Sequence, residues 1–412
     1  MPKEAINAPL GHNRAEAIDT DNFRWTVANR RRLHRIPELG FELPRTRATL
    51  VAALQLIGAD IDPKSYGRSG LLATITGARP GPTFLVRADM DALPIEERSH
   101  HAWRSEIAGN SHACGHDGHM AVALSVARSL SESRDRFAGT AVFCFQPSEE
   151  PGGGAAAMIA DGVLERYNPD RCIGVHLWSE LEIGTLAIHD GAVFASSDKL
   201  HWEIKGHGGH GAVPHLSQDT VGALASLIDS NSYLVAREVD PREAAVISVG
   251  SILGGTAHNI IPSSIKVSGT LRTQSKQTRD RLLKRLTESS RAIAGRFRLE
   301  ITFDSSGFLP PCRSNPEVTA AVRQVAEEHF GDLCRFEEFS TMASDDMAEF
   351  LDRVPGCYFF VGCGNPAKNI TAPHHTPEFD IDEDALLLAA EIIAGVILRG
   401  DGRQQPQSTN AP

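Results

Sequence analysis

The chain has 412 residues, 41% of them apolar and 23% charged, the make-up of a folded protein rather than a disordered, collagen-like or coiled-coil one. At about 150 residues per domain it makes two or three domains, able to bury a core without disulfides. With 41 Lys and Arg against 52 Asp and Glu the formal net charge is −11, and no local basic patch offsets it, which argues against a nucleic-acid partner.

The first fourteen or so residues and about the last ten are polar and Pro/Gln-rich and read as frayed ends. The N-terminus MPKEAINAPLGHNR has no apolar signal-peptide core. The longest apolar stretch, 386–398, contains Glu391 and is too short to cross a bilayer. A cytoplasmic protein with no membrane partner is expected.

Between the ends, runs at 71–75, 83–86, 140–145 and 172–176 read as strands bounded by Gly or Pro. Residues 120–130 put Ala123, Val126, Ala127 and Leu130 on one helical face. This alternation predicts an α/β fold, a mostly parallel sheet with helices on both sides. Near Ser196 the pattern changes. A strand (KLHWEIKG), a Gly/His-rich turn, a helix (220–235), two strands (AAVISVGSILGG and SIKVSGTLRT), a helix (279–294) and a strand (298–303) follow in the ferredoxin-like order. An α+β domain at about 196–307 is therefore expected, inserted into a catalytic domain formed by 1–195 and 308–412.

Chemistry concentrates where the larger domain's strands end, and in open α/β sheets sites gather outside those carboxyl ends. The run 83–86 leads into RADMDALP, 140–145 into QPSEE, and 172–175 into His176-Leu177-Trp178. Six of the seven cysteines sit in apolar or irregular surroundings suited to inert thiols. Cys114 lies in HACGHDGH (112–119), just before a helix whose dipole would favour a thiolate. Cys114, His116, Glu150 and His176 together suit a borderline-soft divalent metal, and the stretch 373–379 could add a ligand for a second. Glu149 beside Glu150 suits a general base, since neighbouring side chains at a strand end diverge. A Cys114/His116 nucleophile and base have poor geometry two residues apart on a turn. GHGGHG (206–211) fits a dinucleotide fingerprint literally, but Pro214 stands where the helix should begin.

RRLHRIPELGFEL (Arg31–Leu43), RADMDALP, HACGHDGH, QPSEE, GVHLW, GGHGAVPH, AHNIIP, GTLRT and HHTPEFDIDEDAL follow one another from about Arg31 to Leu398. In order and spacing they resemble the aminoacylase and carboxypeptidase-like metallopeptidases, in the amidohydrolase branch of hippurate hydrolases and indole-acetyl-amino-acid hydrolases. The resemblance implies two divalent ions, zinc or manganese first and nickel or cobalt next, with Cys114 bridging and His116, Glu150, His176 and His375 as the other ligands. It implies Glu149 as catalytic acid/base and Asp89 as the residue orienting a metal ligand. It also implies a homodimer or higher homo-oligomer through the inserted domain, in which His210 serves the partner's site and Asn259 and Arg272 lie near the substrate carboxylate. Plainer roles are open to three of these: His210 and Asn259 could order Gly-rich turns, and Arg272 could be a surface ion-pair partner. The chain departs from the branch at Ser111, where methionine is common, and at Thr376, which leaves His374 as a rival to His375. The expected activity is hydrolysis of an N-acyl or N-aroyl amino acid or related small amide. A metal-dependent deaminase of a small aromatic amine and a non-catalytic metal-binding homologue are the alternatives.

Overall fold

Residues 17–400 are described by the computed structural model, so both ends read as frayed lie outside the described residues. The chain divides into two units. The larger holds the residues up to Gly191, Arg313–Phe339 and the chain from Glu349; the smaller holds Ala192–Cys312 and Ser340–Ala348.

In the larger unit, helices α1 (Thr20–His34) and α2 (Pro44–Leu56) precede strands β1 (Asp60–Ile61), β2 (Leu71–Thr76) and β3 (Arg79–Asp89). Helix α3 (His116–Glu132) leads to β4 (Ala138–Gln146), and β5 (Arg171–Glu182) and β6 (Thr185–Ala187) follow. With the strands Gly356–Gly364 and Arg335–Glu337 they form one eight-stranded sheet in the order β1, β2, β4, β3, β5, 356–364, β6, 335–337. Its centre is parallel: β3 pairs with β4 and β5, and 356–364 with β5. The antiparallel pairings are those of β1 with β2, β2 with β4, and β6 with 356–364. Such central strands are buried on both faces and so read as near-continuous apolar runs.

The strands outrun the sequence expectation at their carboxyl ends. The ladder continues past the expected ends, as Asp89 opposite Gln146 and, beyond His176, Trp178 opposite Gly362 show. The burial of the polar side chains there is matched by hydrogen bonds: Arg87 donates to both Asp89 and Gln146, and His176 donates to the Leu177 carbonyl. Helix α3 packs on α1 and on the helix Asp384–Arg399. It starts after Gly115, whose φ of 84° is left-handed, and its Gly118 lies so close to β5 that an added Cβ would stand 2.5 Å from Leu177 Cδ1.

In the smaller unit, strands Ala245–Gly254, Ser264–Thr273, Ser197–Lys205 and Glu300–Leu309 form an antiparallel sheet in that spatial order. Helices Thr220–Glu238 and Lys276–Phe297 complete the ferredoxin-like sequence of elements. Alternation along Ser197–Lys205 buries Asp198, Leu200, Trp202 and Ile204, and the three apolar ones join Leu227, Leu282 and Leu286 of the helices in one core. The Asp198 carboxylate takes two hydrogen bonds from Arg279, at 2.6 and 2.8 Å. Ser340–Ala348 belongs here because Thr341 N–H donates to Val193 O, Ala195 N–H to Ala343 O, and Arg272 to Ser344 Oγ.

Candidate metal centre

The carboxyl ends of β3, β4 and β5 and the start of α3 bring Cys114, His116, Glu150 and His176 together. Ligand atoms of Cys114, His116 and Glu150 lie within 4.8 Å of one another, as do those of Cys114, His176 and His374. Cys114 Sγ stands 3.8 Å from His176 Nε2.

Backbone carbonyls decide which ring nitrogens face this cluster. His116 Nδ1 lies 2.8 Å from Asp91 O and His176 Nδ1 lies 2.9 Å from Leu177 O, so each donates its Nδ1–H to a carbonyl. A neutral ring that donates from one nitrogen carries its lone pair on the other. In the neutral form His116 Nε2 presents its lone pair toward Glu150 Oε1 at 3.9 Å, and His176 Nε2 presents one toward Cys114. Leu177 serves three imidazoles, since its carbonyl also accepts from His374 Nε2 at 3.0 Å and its N–H donates to His119 Nε2 at 3.0 Å.

The loop after β4 carries both glutamates. Ser148 enters it with φ 55°, a left-handed conformation that a non-glycine residue adopts at a cost of about 1 kcal/mol. Asp91 then receives the loop: its Oδ1 accepts Glu149 N–H at 2.9 Å and its Oδ2 accepts Glu150 N–H at 3.2 Å. Gly154 closes the loop against Pro147 O, where a Cβ would stand at 1.6 Å.

The electrostatics favour a cation. Burial opposes charge on His116, but Asp89, Glu150 and Asp91 more than offset it and raise its pKa. The Cys114 thiol is pushed well above its ordinary value, by burial first and then by Glu150, Glu149 and Asp89. Desolvation and three nearby acids thus oppose the thiolate that the sequence led one to expect, and a bound cation would favour it. His176 is held well below its ordinary range by burial and by His119 and His374, so its lone pair is available. Glu150 Oε1 is buried and makes no hydrogen bond among the described residues, although it faces His116 Nε2 and, at 3.4 Å, His375 Nε2. A buried carboxylate oxygen beside two imidazole nitrogens and a thiol makes an S, N and O donor set that fits a borderline-soft divalent ion.

His374 and His375 occupy different surroundings. His374 is largely buried, and its Nδ1 lies 3.2 Å from Ser179 Oγ while Nε2 bonds Leu177 O, so both nitrogens are engaged. Burial, chiefly, pushes its pKa down to about 4. His375 is 52% exposed, has φ 61°, anchors through its N–H to Ala113 O at 2.9 Å, and turns Nε2 toward Glu150.

Asp89 is fully buried. Its Oδ2 accepts from Arg87 at 2.6 Å, its Oδ1 bonds His119 Nδ1 at 2.7 Å and lies 3.8 Å from His116 Nδ1. In the smaller unit, His210 is exposed on the two-residue strand Gly209–His210 and pairs with Ile260, while Gly211 N–H donates to Asn259 O, so His210 and Asn259 lie on adjoining segments. His210 Nδ1 accepts Ala212 N–H at 3.0 Å. Arg272 is half-buried and gives one hydrogen bond, at 2.7 Å, to Ser344 Oγ.

Sequence reasoning missed Asp91 and His119, although the two-residue spacing of Asp89 and Asp91 and the third imidazole of HACGHDGH were visible. It also missed Arg30, His34, Glu97 and Asp117. His34 bridges Asp117 Oδ2 at 2.8 Å and Glu97 Oε1 at 3.2 Å, and Arg30 Nε lies 2.7 Å from Asp117. Asp117, next to His116, is held far below the ordinary carboxylate range because Arg30 and His34 outweigh its burial.

The profile of the family described as Peptidase family M20/M25/M40 matches residues 85–399. The chain is 35% identical over 342 residues to the N-acetyldiaminopimelate deacetylase of Geobacillus thermodenitrificans (strain NG80-2), covering 82% of this chain and 89% of that protein. It is 33% identical over 383 residues to the IAA-amino acid hydrolase ILR1-like 5 of Arabidopsis thaliana, covering 92% and 87%. Among solved structures, the Bacillus subtilis YXEP protein, described as a dinuclear metal binding peptidase, superposes with a TM-score of 0.81 at 28% identity over 92% of this chain and 98% of that one.

Proposed function

The chain belongs to peptidase family M20/M25/M40, and we propose that within it the chain is a metal-dependent amidohydrolase cleaving N-acyl or N-aroyl amino acids or related small amides. The relatives named for removing acetyl groups from amino compounds and for hydrolysing an amino-acid conjugate support amide hydrolysis over deamination. The observation that carries the reading is the buried Glu150 Oε1, without a hydrogen bond among the described residues, set amid Cys114, His116 and His375, with Glu149 next along the loop.

Two divalent ions would be held by Cys114, His116, Glu150, His176 and His375, with Cys114 shared; zinc or manganese suits this donor set, and nickel or cobalt follows. His375 is preferred to His374 because both nitrogens of His374 are engaged by Ser179 and Leu177. When bound, such ions polarise an amide carbonyl and lower the pKa of water. Glu149 takes the proton of the attacking water and passes it to the leaving nitrogen. Asp91 holds Glu149 and Glu150 in register through their backbone N–H groups, and Asp89 orients the His116 side of the cluster. His210 of the partner subunit is assigned to steady the oxyanion, and Asn259 and Arg272 to bind the substrate carboxylate, in a homodimer formed through the domain at 196–307.

The test is Glu149→Gln, assayed on N-acyl amino acids by release of free amine, with elemental analysis of the same sample. The variant should keep its metal and lose about 10²- to 10⁴-fold in kcat. Wild-type turnover in a metal-loaded Glu149→Gln enzyme would refute the assignment.

A further inference from the structure

We propose that His119 is a positioning residue that couples the two halves of the metal centre. The inference rests on the metal-site reading above. His116 and Cys114 account for two of the chemistry-bearing side chains of HACGHDGH, and His119, one helical turn beyond His116 on α3, has a different environment.

Ligand atoms of Asp89, His116 and His119 lie within 4.8 Å of one another, which by spacing alone suits a metal. The hydrogen bonds argue otherwise. Asp89 Oδ2 is engaged by Arg87 at 2.6 Å and Oδ1 by His119 Nδ1 at 2.7 Å, and the Nε2 lone pair of His119 accepts the Leu177 N–H at 3.0 Å. No lone pair of His119 is left to bind an ion, because a ring that accepts at Nε2 donates at Nδ1.

The two bonds reach opposite sides of the site. Through Asp89, His119 acts on His116, whose Nδ1 stands 3.8 Å from Asp89 Oδ1. Through Leu177 N–H it fixes the peptide unit that joins His176 to Leu177. The next peptide carbonyl, Leu177 O, sets the His176 ring by accepting its Nδ1–H. The His119 ring also packs edge-on against His176, with centroids 4.8 Å apart, and lies 5.5 Å from the His116 ring. One buried imidazole thus registers the His116 and His176 ligands against each other: one hydrogen bond fixes the Asp89 carboxylate beside His116, at 3.8 Å, and the other fixes the Leu177 peptide whose carbonyl sets His176.

The test uses the metal-free protein and two variants. His119→Phe keeps the ring packing and deletes both hydrogen bonds; His119→Asn offers an amide donor to Asp89 and gives up the Leu177 bond. Calorimetric titration with Mn²⁺ should show affinity about 10- to 100-fold weaker in His119→Phe, with His119→Asn between it and the wild type. Binding within twofold of wild type in folded His119→Phe would overturn the proposal, as would a lowered unfolding midpoint with unchanged Mn²⁺ affinity. Nitrogen-15 imidazole spectra of the wild type, which need no variant to fold, should show His119 protonated at Nδ1 and bare at Nε2 both without metal and with it. The opposite tautomer, or a His119 nitrogen shifted by direct ligation, would also overturn it. A wild type that binds no Mn²⁺ would instead sink the metal-site reading itself.

Discussion

Asp91→Asn separates the support of the catalytic loop from its chemistry. In the native protein one carboxylate accepts two backbone N–H groups, from Glu149 and Glu150, at 2.9 and 3.2 Å. An asparagine of the same size can accept one of them and turns its NH₂ toward the other, so one charge-assisted bond becomes a donor facing a donor. Such bonds are worth about 1.5–3 kcal/mol each, and a buried donor left unsatisfied costs about as much as one bond. A total near 3 kcal/mol, expressed as misplacement of the glutamate pair, amounts to roughly a 10²-fold loss in kcat/KM at 1.36 kcal/mol per tenfold. Burial pushes the Asp91 carboxyl up to about 6, so the comparison belongs at about pH 8, where the native group is ionised. The assay is amine release from N-acyl amino acids, run beside metal analysis and an unfolding curve. Unchanged kcat/KM with full metal content would refute the claim that Asp91 places Glu149 and Glu150.

Mixing Glu149→Gln with His210→Ala subunits should restore part of the activity, because one site of each heterodimer then combines an intact Glu149 with an intact His210 of the partner subunit; absence of rescue in isolated heterodimers would count against a shared site. Glu97 should shape the acid limb of stability. His34, Ser99 and Ser105 outweigh its burial and hold its carboxyl down to about 2, against an ordinary value of 4.5. A depressed folded pKa contributes stability that is complete above the unfolded value and is lost as pH falls from about 4.5 toward 2. Denaturant midpoints over that window should therefore fall less steeply in Glu97→Gln than in the wild type, and parallel curves would contradict this.

Much of the site is legible in the amino-acid order, because metal chemistry restricts residue types: thiol, imidazole and carboxylate at successive strand ends are a pattern that packing does not need. The ferredoxin-like order is legible for a related reason, since the alternation along Ser197–Lys205 and the helical faces at Leu227 and Leu286 reflect burial on one side. The true lengths of β3 and β5 are not, because Arg87 and Asp89 look like loop residues until their buried partners are known, and β5 runs on past His176 to Glu182.

Residue order alone settles which side chains are able to hold a cation and roughly where they fall along the chain. The folded arrangement sets how they are aimed: the Asp91 and Leu177 carbonyls select the nitrogens of His116 and His176, Asp91 catches the Glu149–Glu150 loop, and burial with nearby acids raises the pKa of the Cys114 thiol. The physical reason is that nearly every residue has the same peptide N–H and C=O groups, and the field at a buried thiol sums charges from distant segments. Neither leaves a mark in the order of amino acids.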